Sequence, residues 1–249
     1  MLPFFLKLIY MTDKLINYLE QFITARRIKL FNSRLNYRTR YLTVVLEDIY
    51  QPHNASAVLR SCECFGVQDV HIIENRNTYR ISPDVALGSH KWLTLKRHNT
   101  QSNNTRDALE ALKNEGYRIV AATPHRKDCQ LEDLDLRKGK VALVFGSELE
   151  GLSSTALELA EEFVRIPMAG FTESLNISVS AAICIHFLTN NLRKSDDLAW
   201  PLTEEEKKKL KLVWLKNSIK KSDLIERGFL DDHHINADKG IINSETTPG

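Results

Sequence analysis

Polar residues interrupt the segment from Ile166 to Ala182 at the point where a predicted strand gives way to a predicted helix. The strand turns through a glycine, and the first turns of the helix carry Ser174, Asn176 and Ser178 at positions where a buried helix carries leucine. Such a junction places side-chain oxygens beside unpaired backbone N–H groups at an open helix end. The sequence therefore predicts a ligand site here.

A second polar cluster follows the predicted strand 42–47. Pro52 breaks the chain, Asn54 occupies the position of a helix N-cap, and Arg60 lies in an otherwise small or apolar run. An arginine at a strand end can hold a phosphate in a bidentate fork. Two structural interpretations stay open beside this one, a plain cap for Asn54 and a salt bridge for Arg60.

Two further strand ends carry candidate site residues. Gly146 and Gly151 would let the backbone approach a ligand closely, and Glu148 lies between them. The stretch lacks both the Gly-Lys-Ser/Thr of a phosphate loop and the Gly-x-Gly-x-x-Gly of a dinucleotide site, which argues against a dehydrogenase. Thr123 ends another strand and, taken alone, indicates only a turn. Because ligands bind beyond the carboxyl ends of parallel strands, these sites should lie together.

Predicted strands alternate with predicted helices, which indicates an α/β fold with a mainly parallel sheet covered on both faces. The predicted strands are 42–47, 70–73, 118–122, 141–145 and 163–166. The predicted helices are 12–30, 55–65, 105–115, one from Ser153, 175–192 and 203–221. Residues 75–104 are expected to be loop, and the polar tail from Asp231 is expected to be disordered.

Composition and charge leave the partner open. The chain has 249 residues, of which 43% are hydrophobic and 27% charged, as in an ordinary globular protein. Its net charge of +2 does not by itself predict a nucleic-acid partner. Basic residues are concentrated in the first 40 positions and in 207–221, where a solvated helix face is the simpler interpretation. Arg26, Arg27 and Lys29 are expected in the last turn of helix 12–30, which suits the helix dipole.

Cysteine and histidine usage predicts no metal site. The four cysteines form no Cys-x-x-Cys pair, and His233 and His234 lie in the tail. The apolar residues 1–10 lack a basic start and a cleavage site, and they are too short to cross a bilayer, so neither a signal peptide nor a membrane anchor is expected. Met11 is the expected start of the protein.

Three segments, in this order, resemble the signature motifs of the SPOUT superfamily of RNA methyltransferases. The segments are Pro52 to Cys62, Leu143 to Ser153, and Ile166-Pro-Met followed by Ser174-Leu-Asn-Ile-Ser-Val-Ser-Ala-Ala182. The resemblance covers roughly residues 42–192. Ala86-Leu-Gly-Ser-His-Lys91-Trp92 and the basic flanking helices are similar to the TrmH type, which methylates guanosine-18 in the D-loop of tRNA.

The resemblance implies a fold that periodicity cannot give. Alternating elements alone suggest an ordinary doubly wound sheet, and knots are very rare in proteins. The family instead has a SPOUT-type α/β fold with a deep C-terminal trefoil knot, which binds S-adenosylmethionine, and it forms a homodimer. The implied domains are an N-terminal helical extension (1–40), the methyltransferase domain (41–195) and a C-terminal basic helix with its tail (196–249).

The resemblance also implies residue roles. The positions that match the family's cofactor-binding residues are Thr123, Gly146, Ile166 and Leu175. The positions that match its active-site residues are Asn54, Arg60, Glu148, Ser174 and Asn176. No metal is implied, and Arg60 is expected to act on the active site of the other subunit.

The implied reaction transfers a methyl group from S-adenosylmethionine to the ribose 2'-hydroxyl of guanosine-18 in cytoplasmic tRNA. Arg60 is proposed in the family to activate that hydroxyl, but a guanidinium stays protonated and is a poor base. We therefore expect Arg60 to bind the adjacent phosphate, which takes the proton or polarises the hydroxyl.

Two alternatives stay open. The same chemistry could act on ribosomal RNA, although such relatives often carry a folded N-terminal RNA-binding domain for which 40 residues are too few. A catalytically inactive RNA-binding protein is the alternative of another class. It is disfavoured because Arg60, Glu148 and Asn176 are all present.

Overall fold

The computed structural model describes residues 4–124 and 129–232, with side chains described from 11 to 124 and from 129 to 231. The chain forms two compact units. One unit contains residues 37–201, and the other combines the residues up to Asn36 with those from Leu202 onward. The expectation of disorder from Asp231 is wrong for Asp231 and Asp232, which belong to a helix, and the tail from His233 onward lies outside the described residues. No described helix is long and apolar enough to cross a membrane.

The terminal unit is helical. Its helices are α1 (Phe4–Glu20), α2 (Ala25–Leu35), α8 (Glu204–Ser218) and α9 (Ser222–Asp232). The prediction of one helix over 12–30 is wrong, because α1 ends at Glu20 and Thr24 caps a second helix, α2, by accepting the N–H of Arg27. Arg26 and Arg27 therefore lie in the first turn of α2, at the positive end of its dipole.

The larger unit contains a sheet in which every strand pair is parallel, and this confirms the predicted α/β class. Its strands are β1 (Leu42–Glu47), β2 (Asp69–Ile73), β3 (Thr94–His98), β4 (Tyr117–Ala122), β5 (Cys129–Gln130), β6 (Lys140–Phe145) and β7 (Glu162–Arg165). Their order across the sheet is β3-β2-β1-β6-β4-β7-β5. The trefoil knot stays a prediction.

Helices cover both faces of this sheet. They are α3 (Pro52–Phe65), α4 (Pro83–Ala86), α5 (Thr105–Asn114), α6 (Ser154–Leu159) and α7 (Ile177–Lys194). Successive strand residues point to opposite faces, so Val44 packs in the core under α3 and α7, while Val45 packs in the core under α5 and α6. Burial on both faces explains why β1 and β6 are continuous apolar runs.

The expectation of a loop over 75–104 is wrong, because β3 lies inside it. This strand reads Thr-Leu-Lys-Arg-His and lies at one edge of the sheet, beside β2. Its polar side chains find local partners: Arg97 forms an ion pair with Glu74, and the imidazole of His98 lies 3.0 Å from that of His71. An edge strand with such side chains has no apolar periodicity by which it could be recognised.

Candidate active site

A cavity of about 480 Å³ opens beyond the carboxyl ends of β4, β6 and β7. We call it the strand-end cavity, and its walls are residues 122–124, 145–152, 164–166 and 173–177 with Met168, Ser180 and Cys184. The predicted cofactor residues Thr123, Gly146, Ile166 and Leu175 all line it, as do Glu148, Ser174 and Asn176. The expectation that these strand ends meet is therefore confirmed.

Gly146 and Gly151 shape the loop that follows β6. Ser147 and Gly151 exchange two backbone hydrogen bonds of 2.9 and 3.1 Å, which close the loop on itself. A Cβ on Gly146 would lie 2.2 Å from the backbone carbon and oxygen of Gly151. The close approach of its own chain is thus one reason for the glycine, and the expected approach of a ligand at Gly146 stays a prediction.

Glu148 is held by groups at the start of α3. Its carboxylate accepts the N–H of Tyr50 at 3.0 Å, the N–H of Gln51 at 3.3 Å and the side-chain amide of Asn54 at 2.7 Å. Burial alone would raise the pKa of Glu148, but these hydrogen bonds outweigh it and hold the pKa below its ordinary value. Glu148 is therefore ionised at neutral pH, and its negative charge lies at the positive end of the α3 dipole.

Asn54 is not the N-cap of α3, contrary to the prediction. The helix begins at Pro52 with Gln51 as the cap residue, and no side chain of its own caps it. Proline suits the first helical position because its missing N–H would have no partner there. Asn54 is therefore inside the helix, buried, where its amide nitrogen donates to Glu148 and its oxygen accepts the amide of Asn176 at 3.2 Å.

Asn176 completes this arrangement as the N-cap of α7. Its side-chain oxygen accepts the N–H of Ser178 at 2.8 Å and the Ser178 hydroxyl at 2.6 Å, while its amide nitrogen donates to Asn54. The cap fixes the amide orientation, because the oxygen is occupied by the helix end. Glu148, Asn54 and Asn176 form one chain of hydrogen bonds, which we call the amide network. It joins all three motif segments.

Arg60 is the one predicted site residue that the structure does not bring to this place. It is an exposed side chain of α3, it does not line the strand-end cavity, and no described residue forms an ion pair or hydrogen bond with it. The salt-bridge interpretation is therefore not supported. Ser174 is exposed at the cavity and its hydroxyl is available to a ligand.

The sequence analysis did not predict several residues that shape the site. The N–H groups of Tyr50 and Gln51 are invisible to side-chain patterns. Glu47 is buried at the end of β1 and accepts the hydroxyls of Thr105 and Ser153, both at 2.6 Å, so it anchors the start of α6. A glutamate at the end of an apolar strand is the sequence feature that could have indicated this contact.

Cys184 adds no nucleophile to the described part of the cavity wall. Burial raises the pKa of the Cys184 thiol to about 12, so this thiol is neutral and unreactive. No group of three His, Cys, Asp or Glu side chains within residues 4–124 and 129–232 is arranged to hold a metal ion.

Replacing Asn54 should test the amide network. Asn54→Ala removes one hydrogen-bond partner of Glu148 and the partner of the Asn176 amide, and it should lower the free energy of unfolding by about 1–3 kcal/mol, nearly equally between about pH 7.5 and about pH 5 where Glu148 stays ionised. Asn54→Asp places a second carboxylate beside Glu148, and this raises the pKa of the pair. The folded state then binds a proton more tightly than the unfolded state, so the Asn54→Asp deficit should shrink as the pH falls from about 7.5 to about 5. Urea unfolding of both variants measures this, and equal pH dependence would contradict it.

The whole domain with this site matches known RNA methyltransferases. A "tRNA (guanosine(18)-2'-O)-methyltransferase" of Borreliella burgdorferi is 43% identical over 213 residues, which are 86% of this chain and 95% of that protein. The crystal structure of the "TrmH/SpoU tRNA modifying enzyme" of A. aeolicus superposes with a TM-score of 0.69 at 29% identity, over 78% of this chain and 98% of that one.

A more distant structure has the same fold. It is "the SpoU Methyltransferase AviRb from Streptomyces viridochromogenes in complex with the cofactor AdoMet", with a TM-score of 0.53 and 23% identity over 66% of this chain and 62% of that one. Residues 41–186, more than half of the chain, match the SpoU rRNA Methylase family. The resemblance read from the motifs is confirmed, and the chain belongs to this family.

Proposed function

We propose that the chain is an S-adenosylmethionine-dependent methyltransferase that methylates the ribose 2'-hydroxyl of guanosine-18 in the D-loop of cytoplasmic tRNA. The observation that carries the proposal is the amide network at the strand-end cavity, in which residues from all three motif segments are joined. The 43% identity to a relative of that named activity, across nearly its whole length, supports the choice of substrate.

S-adenosylmethionine fits the strand-end cavity. The volume of about 480 Å³ lies within the range of roughly 300–1,000 Å³ that is usual for small-molecule sites. Ile166, Leu175 and Met168 offer apolar surface, and Thr123 and Gly146 offer backbone groups. Bound there, S-adenosylmethionine supplies an electrophilic methyl group on a positively charged sulfur.

The charge of the lining also suits this cofactor. Among the described residues that line the cavity, Glu148, Glu150 and Glu173 are carboxylates, and only Arg165 carries a positive charge. A surplus of negative charge favours a ligand with sulfonium and ammonium groups.

Glu148 positions the site and does not accept the proton. Its oxygens already accept three hydrogen bonds, and its pKa lies below the ordinary value, so it has little affinity for a proton. Its role is to fix Asn54, which in turn fixes Asn176 beside the cavity. Catalysis by this arrangement relies on positioning the hydroxyl rather than on a strong base.

Arg60 supplies the positive charge that holds a substrate phosphate beside the reacting hydroxyl. Its guanidinium has no carboxylate partner among the described residues, so its fork is available for a phosphate. A phosphate held beside the ribose accepts a hydrogen bond from the 2'-hydroxyl and polarises it, and the proton is released to water as the oxygen takes the methyl group. Since Arg60 does not line the cavity of its own chain, we expect it to complete the cavity of a second copy.

An apolar face of α7 supports a homodimer. Val179 and Ile183 are four positions apart on this helix and remain 44% and 39% exposed. Apolar residues at this spacing lie on one face, which needs a covering partner. A second copy of the chain is the partner that would also bring Arg60 to the cavity.

Helix α2 is the better candidate for the tRNA phosphates, although α8 contains more cations. All five lysines of α8 form ion pairs with carboxylates at 2.6–2.8 Å; they are Lys207, Lys208, Lys209, Lys211 and Lys216. On α2, Arg26, Lys29 and Arg34 are exposed, and no described carboxylate pairs with them. Unpaired cations on a helix without acidic residues suit a polyanion.

Methylation of defined RNA tests the proposed function. Purified protein with labelled S-adenosylmethionine and an unmodified tRNA transcript should yield 2'-O-methylguanosine at position 18, read by nuclease mapping. A transcript in which that guanosine is replaced by another nucleotide is the control. Label that enters only ribosomal RNA would show that ribosomal RNA is the substrate, and the assignment of 2'-O-methylation would stand. Tight RNA binding without label in either RNA would favour the inactive-protein alternative.

Mixed dimers test the origin of Arg60. Arg60→Ala and Glu148→Gln homodimers should each lose most activity. A co-purified heterodimer of the two should regain one working site, because one cavity then has both Glu148 and the partner subunit's Arg60. If Arg60 acted within its own chain, no site would be complete and the heterodimer would stay inactive. Arg60→Lys keeps the charge and loses the fork, so near-normal turnover of that variant would refute bidentate phosphate binding.

Salt dependence distinguishes the two basic helices. Arg26→Gln with Lys29→Gln should lower the slope of log K against log salt by about 1.5, since each phosphate contact contributes about 0.7–0.9. Lys207→Gln with Lys209→Gln removes the same charge from α8 and should leave the slope nearly unchanged. Filter binding of the tRNA transcript measures both. A larger effect of the α8 pair would assign the surface to α8. Thermal melting should show no loss for the α2 pair, because Arg26 lies at the unfavourable helix end.

A further inference from the structure

Two large apolar side chains of the described chain are more exposed than any others. They are Phe171, which is fully exposed (108%), and Leu149 (86%). Tyr50 is also well exposed, at 61%. A single exposed apolar residue needs no explanation, but these three follow β7, β6 and β1, whose loops meet around the amide network. We call Tyr50, Leu149 and Phe171 the apolar rim.

Each residue of the apolar rim is tied to the candidate active site by its neighbours. The N–H of Tyr50 donates to Glu148, and Leu149 follows Glu148 in sequence and lines the strand-end cavity. Phe171 lies on a bend between Met168 and Glu173, and both of those residues line the cavity. Leu149 therefore lies at the opening itself, and Tyr50 and Phe171 lie on the two other loops that lead to the amide network; the three side chains pack in neither core cluster.

The chemistry of the acceptor decides what must reach this rim, if the proposed function holds. The reacting oxygen is bonded to C2' of a ribose, and the neighbouring C1' carries the nucleobase. A 2'-hydroxyl presented to the cavity therefore brings its base to the immediate surroundings of the opening. Bases in RNA loops are recognised when they are unstacked and placed on aromatic side chains.

We propose that the apolar rim receives the unstacked nucleobase of the target nucleotide, with the Phe171 ring as the stacking surface and Leu149 and Tyr50 at its edges. Stacking is satisfied by the face of any base, so the rim contributes affinity and placement rather than base identity. A fully exposed phenyl ring on a bent loop is free to adopt the orientation that the base requires.

Substitution of Phe171 tests the proposal with an unmodified tRNA transcript. Phe171→Ala should raise the KM for the transcript by about 5- to 150-fold, the range expected for loss of one base–aromatic stack. Phe171→Tyr and Phe171→Trp should restore it, whereas Phe171→Leu, which is apolar without a ring, should not. S-adenosylmethionine affinity by calorimetry should be unchanged in all four. Leu224→Ala is the matched control, since Leu224 is 59% exposed and lies on α9, outside the motif segments and outside the loops of the apolar rim.

A cycle on both partners identifies the base that is contacted. A transcript with an abasic ribose at the target position should bind wild-type protein more weakly than the intact transcript does. It should bind Phe171→Ala no more weakly than the intact transcript binds that variant, because the same stack has already been lost. Equal penalties in both proteins would overturn the assignment of Phe171 to this base.

Three other outcomes would also overturn the proposal. They are a normal KM for Phe171→Ala, rescue by Phe171→Leu, and a sedimentation coefficient showing that Phe171→Ala has lost its dimer, which would place the ring in a subunit contact. Failure of the proposed function is distinguishable, because wild-type protein would then leave the tRNA transcript unmethylated.

Discussion

The site depends on one carboxylate that is used as a helix cap. Glu148 lies on the loop after β6, yet it accepts the N–H groups of Tyr50 and Gln51 at the uncapped start of α3. A negative charge at that end is stabilised by the helix dipole, and the helix gains acceptors for N–H groups that would otherwise be unpaired. This exchange brings two distant parts of the chain together, and Asn54 and Asn176 extend it to α7.

This use of Glu148 constrains how the enzyme can handle the proton of its substrate. A carboxylate that accepts three hydrogen bonds and has a lowered pKa holds the structure of the site together and does not take up a proton readily. The side-chain amides of Asn54 and Asn176 do not titrate, and the thiol of Cys184, which lines the cavity, is un-ionised. Neither the amide network nor Cys184 therefore offers a base of ordinary strength, which agrees with the proposed mechanism in which Arg60 and a substrate phosphate act on the hydroxyl.

The sequence predicted what apolar periodicity and motif order can encode. The runs of β1 and β6 were recognisable because both of their faces are buried, and the predicted helix end at residue 65 is confirmed, since Gly66 follows α3 with a φ of +82°. The polar edge strand β3 and the helix break at Thr24 have no such periodicity. The role of Asn54 was missed because its partners are 94 and 122 residues away, and local rules describe only neighbours. Its membership of the site came from the motif resemblance, whereas its geometry needed the fold.

Those same separations have a consequence for how the protein is made. Asn176 caps α7, the last helix of the sheet unit, so the amide network cannot close until nearly all of this unit has left the ribosome and α7 has docked. Contacts between residues so far apart in sequence form late and slowly, because closing the long loop costs entropy before the contact contributes any stabilisation. An incomplete chain therefore contains Asn54 and Glu148 but no assembled network. The assembled site is therefore a property of the chain synthesised through α7, and not of any shorter product.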